Sequence, residues 1–373
     1  MTDLFFDLLN LSLGNRDSLN CNPTEEEWRD LFLMCQKQSV AAFVLNAIDS
    51  LCSNGVQPPK VLLLEWIGLS EETKARNCLM NNEAARLTEL FESVGHRTAI
   101  LKGQANARLY PRPLSRQPGD IDIWLDGGQN KAIETIRKLG ILKGNLYKYQ
   151  TPGEVIQEYH HLNLPRTKSG VDVELHFRPT SGHMNPFKNK KLQDFLEKEI
   201  NVDNPLVEEG FRIPGNRFSL VMQLSHIQRH FISEGVGMRQ IIDYYYLLRS
   251  CEVPQQIVSP VQLKKLGLAH SAGALMWLLH EKLGLEEKYL IYPIDVKRGK
   301  ILLDVVIEGG NFGFHYVDNA DRGSRAYIIA KHKHRWQMLK FDASETIWQL
   351  LASICFFLKS IPERVRRRKW SLA

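Results

Sequence analysis

The sequence predicts an α+β fold in which a small mixed β-sheet core is flanked by N- and C-terminal helical regions. Three observations carry that expectation. Apolar residues recur at helical spacing toward both ends of the chain, short strand-like runs alternate with helical ones between Gly95 and about Pro179, and Val171 to Phe177 alternates residue by residue. The boundaries drawn from this texture are 1–94 for the first helical region, 95–185 for the sheet core and 186–373 for the second helical region.

In order, Leu4, Phe5, Leu8 and Leu9, then Trp28, Leu31, Phe32 and Met34, mark helices. Asn22-Pro23-Thr24-Glu25-Glu26-Glu27 is a helix start, with Thr24 as N-cap and Glu27 completing a capping box. Ser53-Asn54-Gly55 and Pro58-Pro59 mark a loop, and Glu71 to Glu92 is a further helix, apolar at Leu79, Leu87, Leu90 and Phe91. The core opens on a buried strand, Ala99 to Leu101, which turns at Lys102-Gly103 into a helix-compatible segment. Asp120-Ile121-Asp122-Ile123-Trp124 is the next strand, and Gly127-Gly128 starts a helix that Gly140 ends. Strands are expected near Asn145 to Gln150 and at His160 to Leu164, the latter joined through Lys168-Ser169-Gly170 to Val171–Phe177 as a hairpin. Helices follow at Phe218 to Phe231, Met238 to Leu248 and Ala269 to Leu283. A glycine-rich loop at Glu308 to Gly313 precedes a basic segment, Lys331 to Trp336, read as a solvated face, and a last helix from Ser344 to Ile361 is expected to stop at Pro362.

Bulk properties exclude more than they identify. A net charge of +6 over 373 residues is too small for a nucleic-acid-coating polycation. Arg364, Arg366, Arg367, Arg368 and Lys369 form a basic end, read as a solvated tail. The six cysteines show neither a CxxC pair nor regular spacing, so they are expected to be reduced, mostly buried thiols of a cytoplasmic protein. The first residues, with Asp3 and Asp7 and no basic cluster, do not form a signal peptide. The most apolar segment, Thr346 to Leu358, falls short of the ~20 residues needed to cross a bilayer, so no transmembrane span is expected. Nothing in the sequence fixes the oligomeric state.

The chemistry gathers on two strands. Side chains alternate along a strand, so Asp120 and Asp122 share one face, while Ile121 and Ile123 take the other. Two neighbouring anions on a mostly buried strand are costly to desolvate, and a divalent cation would remove that cost. Asp172, Glu174 and His176 form a second polar stripe opposite Val171, Val173, Leu175 and Phe177.

Leu101-Lys102-Gly103, Gly119-Asp120-Ile121-Asp122-Ile123 and Val173-Glu174-Leu175-His176-Phe177-Arg178 together resemble the DNA polymerase beta-like nucleotidyltransferase superfamily. More closely, they look like a bacterial group of uncharacterised nucleotidyltransferases with LKG, GDIDI or GDLDL, and a DLHWR-like strand. The downstream pairs His226 and His230, with Arg229 between them, and Arg239 with Asp243 are similar to that group's H-x-x-R-H and R-x-x-x-D helices.

The resemblance implies a nucleotidyltransferase core that moves a nucleoside monophosphate from a nucleoside triphosphate to a hydroxyl, with two magnesium ions, or manganese as the alternative. It implies that Asp120 and Asp122 bind metal. Glu174 would bind the second ion and help deprotonate the acceptor, with Asp172 as the alternative third carboxylate. Lys102, Gly103 and Gln104 would form the phosphate turn, and Arg116, Arg178, His226, Arg229, His230 and Arg239 would contact nucleotide or acceptor. His226 and His230 are not read as a zinc pair, because Ile227 stands where HExxH has glutamate. The acceptor is expected to be a small molecule or a protein rather than RNA, since no basic stripe interleaved with aromatics crosses the core. The departure is Gln104, where the superfamily often has serine or glycine. It keeps open the alternative of a catalytically silent binding or regulatory module. A third reading docks the Ser344–Ile361 helix and the basic end on anionic lipid.

Overall fold

The computed structural model describes residues 1–53, 55–144, 146, 155–310 and 325–367. The chain begins with four helices, α1 (Thr2–Ser12), α2 (Glu25–Lys37), α3 (Ala41–Ser53) and α4 (Lys60–Ser93). The capping box of α2 is formed as expected: the Glu27 amide donates to Thr24 Oγ1 at 3.3 Å and the Thr24 amide to Glu27 Oε2 at 2.8 Å. The segment read as starting at Glu71 belongs to the 34-residue α4, which starts directly after Pro58-Pro59.

The sheet region follows as β1 (Thr98–Ile100), the one-turn α5 (Gln104–Ala107), β2 (Ile121–Leu125), α6 (Gly128–Lys138), β3 (Ile156–Gln157), β4 (His161–Asn163) and β5 (Val173–His176). Strand order is β1-β2-β5-β4-β3. The pair β2·β5 is parallel and the other three are antiparallel, so the sheet is mixed, and β4–β5 is the expected hairpin. The strand expected at Asn145 to Gln150 lies outside the described residues except for Leu146, which is not in a strand, and the short edge strand β3 was not anticipated.

The remaining helices are α7 (Pro186–Ile200), α8 (Asn216–Ser233), α9 (Met238–Arg249), α10 (Pro254–Ile257), α11 (Pro260–Lys265), α12 (Ala269–Leu283), α13 (Val296–Gly309), α14 (Arg325–Phe341) and α15 (Ala343–Arg367). Two expectations are corrected here. The last helix does not stop at Pro362 but runs through it to Arg367; a proline removes one backbone donor, which costs the helix a hydrogen bond without by itself ending it. Nor are the thiols mostly buried: Cys35 and Cys251 are, whereas Cys21, Cys78 and Cys355 are exposed. Glu308 and Gly309 of the expected glycine-rich loop close α13, and Asn311 to Gly313 lie outside the described residues. Among the described residues, no helix is long and apolar enough to cross a membrane.

Among the described residues, two apolar clusters organise the fold. The larger joins α1–α3, the start of α4 and the helices from α7 to α14, and takes in Ala99, Leu101 and Trp124 from the sheet region. The smaller packs Ile121, Ile123 and Leu125 of β2 and Val173 and Leu175 of β5 against Met80, Ala84, Leu87 and Phe91 of α4 and against α6. That leaves the opposite sheet face, with Asp122, Glu174 and His176, turned toward α8 and α9. The fold thereby sets a polar face between two apolar bodies.

Candidate functional site

Strand register brings the carboxylates together. In the parallel pair, Asp122 is the Cα partner of Glu174 and Trp124 of His176, while across the hairpin His161 pairs with His176 and Asn163 with Glu174. Asp122 is 1 % exposed and Glu174 half-buried. His176 Nε2–H lies 3.0 Å from Asp122 Oδ1 and 3.3 Å from Glu174 Oε2, and Nδ1–H donates to the Arg178 carbonyl at 3.2 Å. Burial works against a charged ring, but hydrogen bonds to the two carboxylates push His176 up to about 9. Burial likewise opposes charge on Glu174, yet His176 and Lys102 hold its carboxyl below the usual range. The acid is therefore ionised at neutral pH. Beside this group, burial and the neighbouring His176 push His160 down to about 2, so His160 is a neutral imidazole.

Lys102 follows β1, and its ammonium sits 2.9 Å from Asp122 Oδ1. Desolvation alone would favour the neutral amine; the field of Asp122, Asp120 and Glu174 overrides it and holds Lys102 above its ordinary value. Gly103 has φ 61° and ψ −105°, a backbone state open to glycine, and it lets the chain turn beside the Asp120 carbonyl. Gln104 does not face the cleft. It is buried against α4, donating to Asn81 Oδ1, and the helix it begins is one turn long, so few aligned peptide dipoles stand behind the turn.

The facing wall comes from α8 and α9. Asp243 of α9 accepts two bonds from Arg116, from Nε and Nη2 at 2.7 Å each, one from the Tyr110 hydroxyl at 2.7 Å and one from Asn106 Nδ2 at 3.2 Å. Asn106 also exchanges amide bonds with Gln223 of α8, at 3.1 and 2.7 Å, so one polar network ties α5, α8 and α9. Arg239 donates to the Gln117 and Pro118 carbonyls at 3.2 and 3.3 Å, just before Gly119-Asp120. Burial and the nearby Arg116 charge bring Arg239 down to about 10. His226 and His230 stack edge to face with centroids 4.3 Å apart, and His230 faces Glu234 at 3.2 Å. Burial, reinforced by Lys102, keeps the His226 ring neutral, and burial also lowers Arg229.

Between the walls lies a cleft of about 40 Å³ lined by Lys102, Gly103, Asp120, Asp122, His226 and Arg239 among others. Ligand pockets run to several hundred Å³ (on the order of 300 to 1,000), so a nucleotide would have to separate the walls.

The structure thus brings together Asp120, Asp122, Glu174, Lys102, Gly103, Arg116, His226 and Arg239, with Arg229 and His230 on the same helix as His226. It sets three candidates apart, the first being Gln104, turned onto Asn81 of α4. Arg178 is exposed, its guanidinium carbon 5.4 Å from the Tyr159 ring centroid. Asp172 is exposed and paired with Arg166 at 2.8 Å, so Glu174 is the carboxylate beside Asp122. Arg116 reaches the cleft wall, but its charge is already engaged by Asp243. Sequence reasoning missed His160 and His161, whose signal was a histidine pair opening a strand, and left His176 without a role although it alternates with Glu174.

A sequence profile for a family described as uncharacterised nucleotidyltransferases matches residues 24–284, well over half of the chain. The chain belongs to this family. The matched span takes in the strand carboxylates, the Lys102-Gly103 turn and the α8–α9 wall. A solved antigenic nucleotidyltransferase-like protein from Paracoccidioides brasiliensis aligns at 15 % identity over 61 % of this chain and 96 % of its own, with a TM-score of 0.37. Among curated proteins, none matches.

Proposed function

We propose that this family member is a metal-dependent nucleotidyltransferase of the polymerase beta-like type, transferring a nucleoside monophosphate to a hydroxyl with release of pyrophosphate, and that it works in the cytoplasm. The observation that carries the reading is the in-register pairing of Asp122 with Glu174, together with Asp122 Oδ2, a buried carboxylate oxygen with no hydrogen-bond partner. A divalent cation held by Asp122 would supply what that oxygen lacks. Asp120, Asp122 and Glu174 are an all-oxygen donor set of the kind magnesium takes, with manganese as the alternative. When bound, the ions would supply charge stabilisation to the attacking and leaving oxygens.

The chain's own groups divide the remaining work. Lys102 places a fixed positive charge beside the phosphates. Glu174, ionised and half-buried, accepts the proton of the acceptor hydroxyl as that oxygen bonds to the α-phosphorus and the bond to the bridging oxygen breaks. His226, Arg229 and Arg239 border the triphosphate, and Gly103 leaves room for the turn. A small molecule or protein acceptor suits the narrow cleft better than an RNA end.

A second reading has one observation in its favour. Lys102 and His176 already compensate Asp122, as they would in a catalytically silent module of the same fold. Calorimetry with ATP, GTP, CTP and UTP in magnesium, on wild type and on Asp120→Asn/Asp122→Asn, separates the two. Metal-dependent binding lost in the variant supports the enzyme; no metal-dependent binding by wild type sinks it.

A further inference from the structure

We propose that His160, His161 and His176, with Glu174 as the fourth ligand, form a separate site for one first-row transition divalent cation of the zinc class. The β4–β5 register puts His161 beside His176, and His160 precedes His161 at the strand entrance. One nitrogen from each of the three rings lies within 4.8 Å of the others. His160 Nε2 and His161 Nδ1 are 3.2 Å apart. An ion about 2.0–2.1 Å from each nitrogen at a tetrahedral angle holds two nitrogens about 3.3 Å apart, so this pair is spaced for it. Glu174 Oε2 stands 3.6 Å from His161 Nδ1 and 3.3 Å from His176 Nε2, at the remaining corner.

The surroundings agree with a ligand set. His176 Nδ1–H is fixed on the Arg178 carbonyl at 3.2 Å, which orients the ring and aims Nε2 at the cluster, as outer hydrogen bonds do for metal-bound histidines. Coordination through Nε2 would take His176 off Asp122, but Lys102 remains on Asp122 Oδ1 at 2.9 Å. Three imidazoles and one carboxylate select zinc-class ions, whereas the all-oxygen set of Asp120 and Asp122 selects magnesium. The two sites adjoin at Glu174, whose Oε2 faces the histidines and whose other carboxylate oxygen is left for magnesium, while His160, His161 and His176 belong to the histidine site alone.

The test uses full-length protein without a histidine tag, stripped with EDTA, then titrated with Zn²⁺ alone and with Zn²⁺ in millimolar Mg²⁺. One equivalent of zinc retained against magnesium is expected. His160→Gln/His161→Gln should weaken it by at least about 100-fold, while Asp120→Asn should keep zinc and lose magnesium-dependent nucleotide binding. Co²⁺ in place of zinc should give the intense visible bands of four-coordinate nitrogen ligation in wild type, a readout that needs no variant to fold. Absent stoichiometric zinc, unchanged zinc affinity in the double variant, or a weak six-coordinate cobalt spectrum would each overturn the site. Those outcomes leave the nucleotidyltransferase reading untouched, since calorimetry with nucleotides decides it.

Discussion

Replacing Asp243 with asparagine removes a charge and leaves the shape of the α5–α8–α9 network nearly intact. Asp243 is 3 % exposed and Arg116 5 % exposed, so the guanidinium cannot recover its hydration when the carboxylate is gone. Breaking a buried pair by removing one partner costs about 3–5 kcal/mol. Tyr110 can still donate to the asparagine oxygen, so its hydroxyl adds nothing to that figure. Asp243→Ala would strand it as well, at about 1–3 kcal/mol more. Against a typical total of about 5–15 kcal/mol, the asparagine variant should be visibly less stable in urea denaturation followed by circular dichroism. The double variant Arg116→Met/Asp243→Asn removes both charges, keeps an acceptor for the Tyr110 hydroxyl and should recover most of the loss. A loss below about 1 kcal/mol for Asp243→Asn would mean that the pair behaves like an exposed one, and the account of this wall would be wrong. The pH dependence has a definite sign. Burial disfavours the Asp243 carboxylate, but Arg116 and the Tyr110 hydrogen bond hold its folded pKa below the ordinary value. Its stabilisation is therefore present above an unfolded pKa of about 3.9 and is lost as pH falls through the lower folded value. Wild type should lose its advantage over Asp243→Asn in that acid range.

Gly299→Ala would place a Cβ 2.3 Å from Trp277 Cε3 where α13 packs on α12, and should lower stability by about 1–3 kcal/mol; an unchanged melting temperature would contradict the close approach. Gly103→Ala meets only ordinary contact with the Asp120 carbonyl at 3.4 Å, so its cost, about 1–3 kcal/mol, is conformational; urea denaturation that leaves it equal to wild type would show that the turn relaxes. Thr24→Ala removes the capping box of α2 and should cost about 1 kcal/mol, with faster hydrogen exchange at the Glu27 amide as the local readout.

Where a sequence signal is local, the fold was legible. The capping box at Thr24, the glycines bracketing α6, and the alternation of Val171–Phe177 each state their element in a few residues. The β-sheet order was not legible: the parallel β2·β5 pair depends on which strands meet, and neither strand encodes its neighbour. The same distinction separates the site residues. Asp120, Asp122 and Glu174 could be read from strand faces, but choosing between Glu174 and Asp172 needed Arg166, which holds Asp172 at the surface. Arg116 looked like a phosphate contact because an arginine before a carboxylate strand is free in sequence; its partner Asp243 lies on another helix. Gln104 looked like part of the phosphate turn until Asn81 of α4 claimed its amide.

The 34 residues of α4 span about 50 Å, and they change character along the way. Leu62 and Trp66 belong to one apolar body, Met80 to Phe91 to the other, and the stretch between them is polar although buried: Ser70, Thr73 and Asn77. Asn77 Nδ2 donates to the Leu114 and Arg116 carbonyls at 2.8 Å each, and the Thr73 hydroxyl to Gln117 at 3.2 Å. The helix is thus a strut whose ends are each clamped in apolar packing and whose midpoint grips the segment leading to the carboxylates. Because one rod carries part of both apolar bodies, a bend near Asn77 would shift them against each other and strain the hydrogen bonds that join the jaws of the cleft at Asn106 and Arg116.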